Sequence, residues 1–157
     1  METYSRKEFE SAGLEMGIVQ INHSRSLHGV IRGLHFQRSP YEQAKLVRCI
    51  RGEILDLAVD IRPSSVTYGK HFFVTLSERN RFMLYVPRGF AHGFAALGEV
   101  NEIEYAVDRP YSPDHEGGVL WNDPDLAIKW PFEQPTLSER DKKLPRLREI
   151  KEALRQG

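Results

Sequence analysis

The chain has 157 residues, 40% hydrophobic and 28% charged, which suits one domain with a single core and excludes a disordered chain. Lys and Arg number 22, as do Asp and Glu, so the neutral balance lacks the basic excess expected of a general nucleic-acid binder. The single cysteine, Cys49, excludes a disulfide framework and a multi-cysteine zinc site.

No apolar run approaches the ~18 residues of a membrane helix, and the charged N-terminus has no signal-peptide core. The expectation is a cytoplasmic protein without a membrane partner. Ser5 is placed to cap a short helix through Glu10 that stops near Gly13. Short runs of strand character follow at 16–22, 29–36, 44–50, 53–61, 71–76, 82–86, 90–97 and 100–107. The clearest, 53–61, puts Leu55, Leu57, Val59 and Ile61 on one face and Asp56 and Asp60 on the other, the period of a half-buried strand. Turn formers such as Ser39-Pro40, Pro63-Ser64-Ser65 and Pro87-Arg88-Gly89 separate the runs. Many short strands at this spacing predict an antiparallel sandwich or barrel rather than a βαβ sheet.

The stretch 110–135 reads as loop, with five prolines and both tryptophans, Trp121 and Trp130, and is expected to pack against the barrel. A helix over 145–156 places Leu147, Ile150 and Leu154 on one stripe, with Pro145 in its first turn. The organisation expected is a helical region over 1–15, an all-β core with its long loop over 16–141, and a C-terminal helix over 142–157.

Charge is unevenly spread. Residues 24–51 carry six basic side chains against Glu42, and residues 99–125 carry eight acids against Arg109. For most of these, two solvated faces that attract each other is the better reading; the sharper one is a basic pocket for an anion such as phosphate.

Metal is the first chemistry to weigh. Pro87-Arg88-Gly89-Phe90-Ala91-His92 looks like the second motif of the cupin barrels, but where the first cupin motif supplies H-x-H this chain has His35-Phe36-Gln37. Two imidazoles without a carboxylate at ligand spacing make a poor zinc or iron site, so the metal-free reading is preferred. Strand alternation puts Lys45 with Val47, His92 with Phe90 and Phe94, and Tyr105 with Ile103 and Val107, all on apolar, inward faces. A buried Lys needs a partner or a chemical task, and a lumen holding Lys, His and Tyr suits proton transfer. Gly33 between Arg32 and His35 suggests a bulge that could turn both to one side, although alternation alone leaves this open. No G-x-S-x-G elbow or phosphate-binding glycine loop is present, and Cys49 reads as a buried structural thiol.

Six collinear blocks then resemble the dTDP-4-dehydrorhamnose 3,5-epimerase family. They are Asn22-His-Ser-Arg-Ser, Arg32-Gly-Leu-His-Phe-Gln, Lys45-Leu-Val-Arg, Pro87-Arg-Gly-Phe-Ala-His-Gly-Phe, Trp121-Asn-Asp-Pro and Leu137-Ser-Glu-Arg-Asp. The resemblance implies a cofactor-free, metal-free cupin-type jelly roll, a homodimer, that epimerises a nucleotide-linked 4-keto-6-deoxy sugar at C3 and C5 on the way to L-rhamnose. It implies His35 as the base, Asp141 as its orienting partner, Lys45 as the oxyanion stabiliser and Tyr105 as the proton donor on the opposite face. It implies substrate contacts from Glu2, Gln20, Asn22, Arg32, His92, Glu116 and Arg140, with Tyr111 stacked on the nucleotide base. An enolate formed beside a keto group needs only a base, an acid and a fixed positive charge.

Two departures from the family pattern stand out. The family's D-x-R-G-x-F-type segment precedes the position at which this chain starts, and Glu104 stands where the family is usually apolar. Three alternatives to the 3,5-epimerase remain: a single-centre epimerase on another nucleotide sugar, a non-catalytic nucleotide-sugar-binding cupin, and a metal-dependent cupin enzyme.

Overall fold

The computed structural model describes residues 2–155. Two antiparallel sheets face each other as a jelly roll. Strands β1 (Gln20–Leu27), β2 (Ile31–Gln37), β3 (Lys45–Arg51), β4 (Glu53–Asp60), β5 (His71–Ser77), β6 (Met83–Val86), β7 (Phe90–Ala96), β8 (Val100–Val107) and β9 (Glu116–Gly118) build it. One sheet runs β1-β8-β3-β6 and the other β5-β4-β7-β2-β9. Helices α1 (Arg6–Ser11) and α2 (Leu147–Arg155) lie at the ends of the chain.

Three apolar layers result. Val47, Ile54, Leu76, Phe94 and Ile103 fill the space between the sheets. Leu57, Val59, Ala91, Val119 and Leu126 form a second layer outside the five-stranded sheet, closed by Ile150, Leu154 and Trp130. Met16, Leu46 and Ala106, with Phe9 of α1 and Tyr4, form a small third layer outside the four-stranded sheet.

The second layer corrects the reading of 53–61. That strand is buried on both faces: Leu57 and Val59 pack outward under α2, while Asp56, fully buried, lies on the interior face with Ile54 and Ala58. The run 16–22 is also corrected, because β1 begins at Gln20. Met16 and Ile18 belong to the outer layer, whereas β1 turns Gln20, Asn22, Ser24 and Ser26 inward and leaves Ile21 and Leu27 exposed. The inward row of β1 is thus wholly polar, and the outward row mixes Ile21 and Leu27 with His23 and Arg25.

The helix ends differ in mechanism from the sequence reading. Ser5 precedes α1 but makes no side-chain cap. Helix α2 starts at Leu147 rather than Pro145, and Asp123 Oδ2, 24 residues away in sequence, accepts the Leu147 N–H at 2.6 Å. Gln156, the expected last residue of that helix, lies outside the described residues. The stretch read as loop packs through Val119, Leu126, Ile128 and Trp130 as expected, and also supplies the unforeseen edge strand β9. No helix among the described residues is long and apolar enough to cross a membrane.

The charge asymmetry resolves mainly as the simpler reading had it. On the outer face of the four-stranded sheet Arg48 pairs with Glu104 at 2.7 Å, and Arg51 and His23 pair with Glu102 at 3.3 and 3.1 Å. Glu104 is thus an exterior residue, and its neighbour Tyr105 faces the interior.

Candidate active site

The site lies at one end of the barrel and begins with a bulge. In the pairing of β2 with β7, Arg32 sits opposite Phe94 and His35 opposite His92, three steps against two. The slip puts Arg32 and His35 on one face, the interior one, which alternation alone left open. Gly33 makes it possible: its φ is +113°, and a Cβ there would lie 2.7 Å from Gly93 Cα and from the His92 carbonyl oxygen.

His35 is held from behind. Its Nε2 lies 2.6 Å from Asp141 Oδ1, and Asp141 is 3% exposed in the short helical turn Asp141–Lys143. Ser138 Oγ accepts the Asp141 backbone N–H at 3.0 Å. Burial works against the Asp141 charge, but the His35 hydrogen bond and charge and the Gly33 N–H hold its carboxyl below the usual range. A carboxylate so placed fixes the imidazole tautomer and leaves the other ring nitrogen for chemistry.

The opposite wall comes from the four-stranded sheet. Register places Gln20, Val107 and Lys45 in one interior row and Asn22, Tyr105 and Val47 in the next. Burial brings the Lys45 ammonium down to about 8, with Asp56 and Glu116 pulling the other way. No hydrogen bond or ion pair ties Lys45 to another side chain among the described residues. Burial also raises the Tyr105 phenol, which Arg32 opposes. Arg32 itself leans on β1, donating from Nε to Ser26 Oγ at 2.9 Å.

These walls enclose a cleft of about 230 Å³ lined by Gln20, Asn22, His35, Lys45, Tyr105, Tyr111 and Glu116, with Phe36, Gln37 and Gln43. At its mouth the Tyr111 hydroxyl donates to Glu116 Oε2 at 2.6 Å, and Arg140 meets the same oxygen at 2.8 Å. Burial opposes the Glu116 charge, but these two partners hold its carboxyl below the usual range.

Five of the residues singled out from the sequence are outside the cleft lining: Asp141 stands behind His35, Arg140 meets Glu116 at the mouth, Arg32 is exposed against β1, and His92 and Glu2 lie elsewhere. His92 does not line the cleft: it is 8% exposed and bonds through Nε2 to Asp56 Oδ1 at 2.8 Å. Glu2 is exposed near α1, also outside the lining. Conversely, Asp56, Gln37, Gln43 and Ser138 belong to the arrangement and were not identified as site residues. Gln37 carried a signal, since it occupies the place of the second H-x-H histidine. Asp56 had none, because on a half-buried strand its face reads as solvent.

Fold and cleft together define a cupin-type barrel with a small-molecule site furnished for proton transfer. The sequence model for dTDP-4-dehydrorhamnose 3,5-epimerase matches residues 1–149. The dTDP-4-dehydrorhamnose 3,5-epimerase of Shigella flexneri is 49% identical over 142 residues, 90% of this chain and 78% of that protein. The Bacillus anthracis enzyme of the same name, crystallised with TDP and PPi, superposes with a TM-score of 0.91 at 46% identity, over 92% of this chain and 83% of that one. A Legionella pneumophila dTDP-6-deoxy-D-glucose-3,5-epimerase in complex with dTDP-4-keto-L-rhamnose gives 0.93 at 41% identity, over 98% and 82%. The chain belongs to the dTDP-4-dehydrorhamnose 3,5-epimerase family.

Proposed function

We propose that this protein converts dTDP-4-dehydro-6-deoxy-D-glucose to dTDP-4-dehydro-L-rhamnose by inverting C3 and C5. The observation that carries the reading is the opposition of His35 and Tyr105: one on β2, one on β8, they line a single cleft from facing sheets. Inversion needs proton removal on one face of the sugar and delivery on the other, and two walls supply the two faces.

His35, oriented by Asp141, takes the proton beside the C4 carbonyl. The enolate oxygen that forms is met by the Lys45 ammonium, a fixed charge in a poorly solvated cleft. Tyr105, kept protonated by its raised pKa, returns a proton from the other side. Because C3 and C5 both flank the carbonyl, one set of groups serves both centres after the ring shifts. Gln20, Asn22 and Arg32 contact the sugar and diphosphate, and Tyr111 stacks on the base at the mouth, next to Glu116 and Arg140.

We also infer a homodimer. Edge strand β1 leaves Ile21 60% and Leu27 59% exposed, an apolar edge that a second copy would cover. A cytoplasmic setting suits the free, buried Cys49.

The test is NMR of dTDP-4-keto-6-deoxyglucose incubated with the protein in D2O. Deuterium at both C3 and C5 with formation of the L-rhamno product is expected. Label at one carbon makes the protein a single-centre epimerase, and binding without exchange makes it a binding protein.

A further inference from the structure

The loop that carries Tyr111 is stapled to residues 37–44 almost rung by rung. Asp108 Oδ1 accepts the Ala44 N–H at 2.8 Å, and the Arg109 carbonyl accepts from Gln43 Nε2 at 2.7 Å. Arg38 reaches the Asp114 carbonyl through its guanidinium and the His115 carbonyl through its backbone N–H, both at 2.8 Å. Between these rungs stands Gln37, 6% exposed. Its Nε2 donates to the Pro110 carbonyl at 3.3 Å and to the Tyr41 carbonyl at 2.7 Å, and its Oε1 accepts the Ser112 N–H at 2.7 Å. One side chain therefore clamps the peptide on each side of Tyr111, whose own backbone bonds to nothing in residues 37–44. Tyr111 is 52% exposed at the mouth of the cleft, and its hydroxyl donates to Glu116 Oε2.

We infer that Gln37 is a positioning residue: it fixes the backbone that presents Tyr111, and so sets affinity for the nucleoside end of the substrate without taking part in proton transfer. The inference rests on the substrate reading given above. Chemistry on Gln37 itself has no room, since both amide hydrogens and the carbonyl oxygen are already engaged in a buried setting. The same place in the strand, two residues after His35, holds a metal-binding histidine in the H-x-H pattern; here it anchors a loop instead.

The test compares the wild-type protein with Gln37→Met, Tyr111→Ala and the double variant. Titration with dTDP gives Kd, D2O incubation with the keto sugar gives KM and kcat, and hydrogen exchange follows the amides of residues 109–115. Gln37→Met is expected to raise Kd and KM about tenfold, a partial loss of base stacking, while kcat stays within about threefold. The Ser112 amide should exchange faster. On the Tyr111→Ala background the same change should add less than about twofold, because the two residues act through one contact.

An equal effect on both backgrounds, unchanged Kd, or a fall in kcat matching the rise in KM would each overturn the inference. If Gln37→Met does not fold, Gln37→Glu, which keeps an acceptor for Ser112 and loses both donors, takes its place. If the wild type neither binds dTDP nor exchanges deuterium, the substrate reading fails on its own. Exchange at 109–115 then decides whether Gln37 anchors the Tyr111 loop: faster exchange in the variant supports the anchor, unchanged exchange removes it.

Discussion

Replacing Asp141 by Asn removes one charge from a carboxylate that is 3% exposed and 2.6 Å from His35 Nε2. The amide keeps the shape but can no longer accept on both sides. Gly33 N–H approaches Oδ2 at 3.4 Å, so the amide oxygen turns toward Gly33 and the NH2 toward His35. The imidazole is then driven to protonate its other nitrogen, the one that must be free to act as base. A unit charge pair about 4 Å apart at an effective dielectric of about 20 is worth about 4 kcal/mol. The His35 side chain is 31% exposed, so screening removes about half and leaves about 2 kcal/mol of imidazolium stabilisation. That is a factor of about 30 in kcat, and the wrong tautomer multiplies it, so kcat should fall about 10²–10³-fold. KM should stay within about threefold, and deuterium uptake at C3 and C5 should fall together, as followed by NMR in D2O. A kcat within about threefold of wild type, or a loss confined to KM, would refute the assignment of His35–Asp141 as the base.

Other perturbations test the remaining parts. Lys45 must be protonated to meet an enolate, so with its pKa brought down to about 8 activity should decline as pH rises through about 8, and Lys45→Arg should move that limb upward. Because the folded protein disfavours that charge, Lys45→Met should raise Tm by several degrees while turnover collapses, which thermal melts and the NMR assay measure together. In Tyr105→Phe, deuterium exchange should outlast formation of the inverted product, whereas His35→Ala should lose both; undiminished turnover in His35→Ala would sink the mechanism. Gly33→Ala should destabilise the fold by about 3 kcal/mol or more, read from urea melts, since its Cβ would collide with two backbone atoms at 2.7 Å and the backbone sits at φ +113°. Glu104→Leu should leave kcat and KM unchanged and cost under about 1 kcal/mol, because it breaks only an exterior pair with Arg48.

By itself, the sequence determined the all-β character, most strand positions and the inward faces of Lys45, His92 and Tyr105. These follow from local rules: period-two alternation is a property of each strand alone, and glycine and proline punctuate turns wherever they occur. The collinear motifs hold His35, Asp141 and Lys45, and the family resemblance they carry adds Tyr105 to that set. What local rules miss is everything set by a second layer. The strand read as half-buried is covered on its far side by α2 and the 119–130 segment, so Asp56 ends in the interior against His92. Strand β1 turns a polar row inward, where Gln20 and Asn22 line the cleft, and α2 starts where an aspartate from a distant loop happens to cap it.

The union of Arg32 and His35 on one face needed the bulge against β7, and a bulge is a property of a pair of strands. The clamp made by Gln37 joins residues more than 70 positions apart, a contact that only the closed barrel creates. Alternation tells each strand which way its side chains point. Only packing decides what stands on the other side.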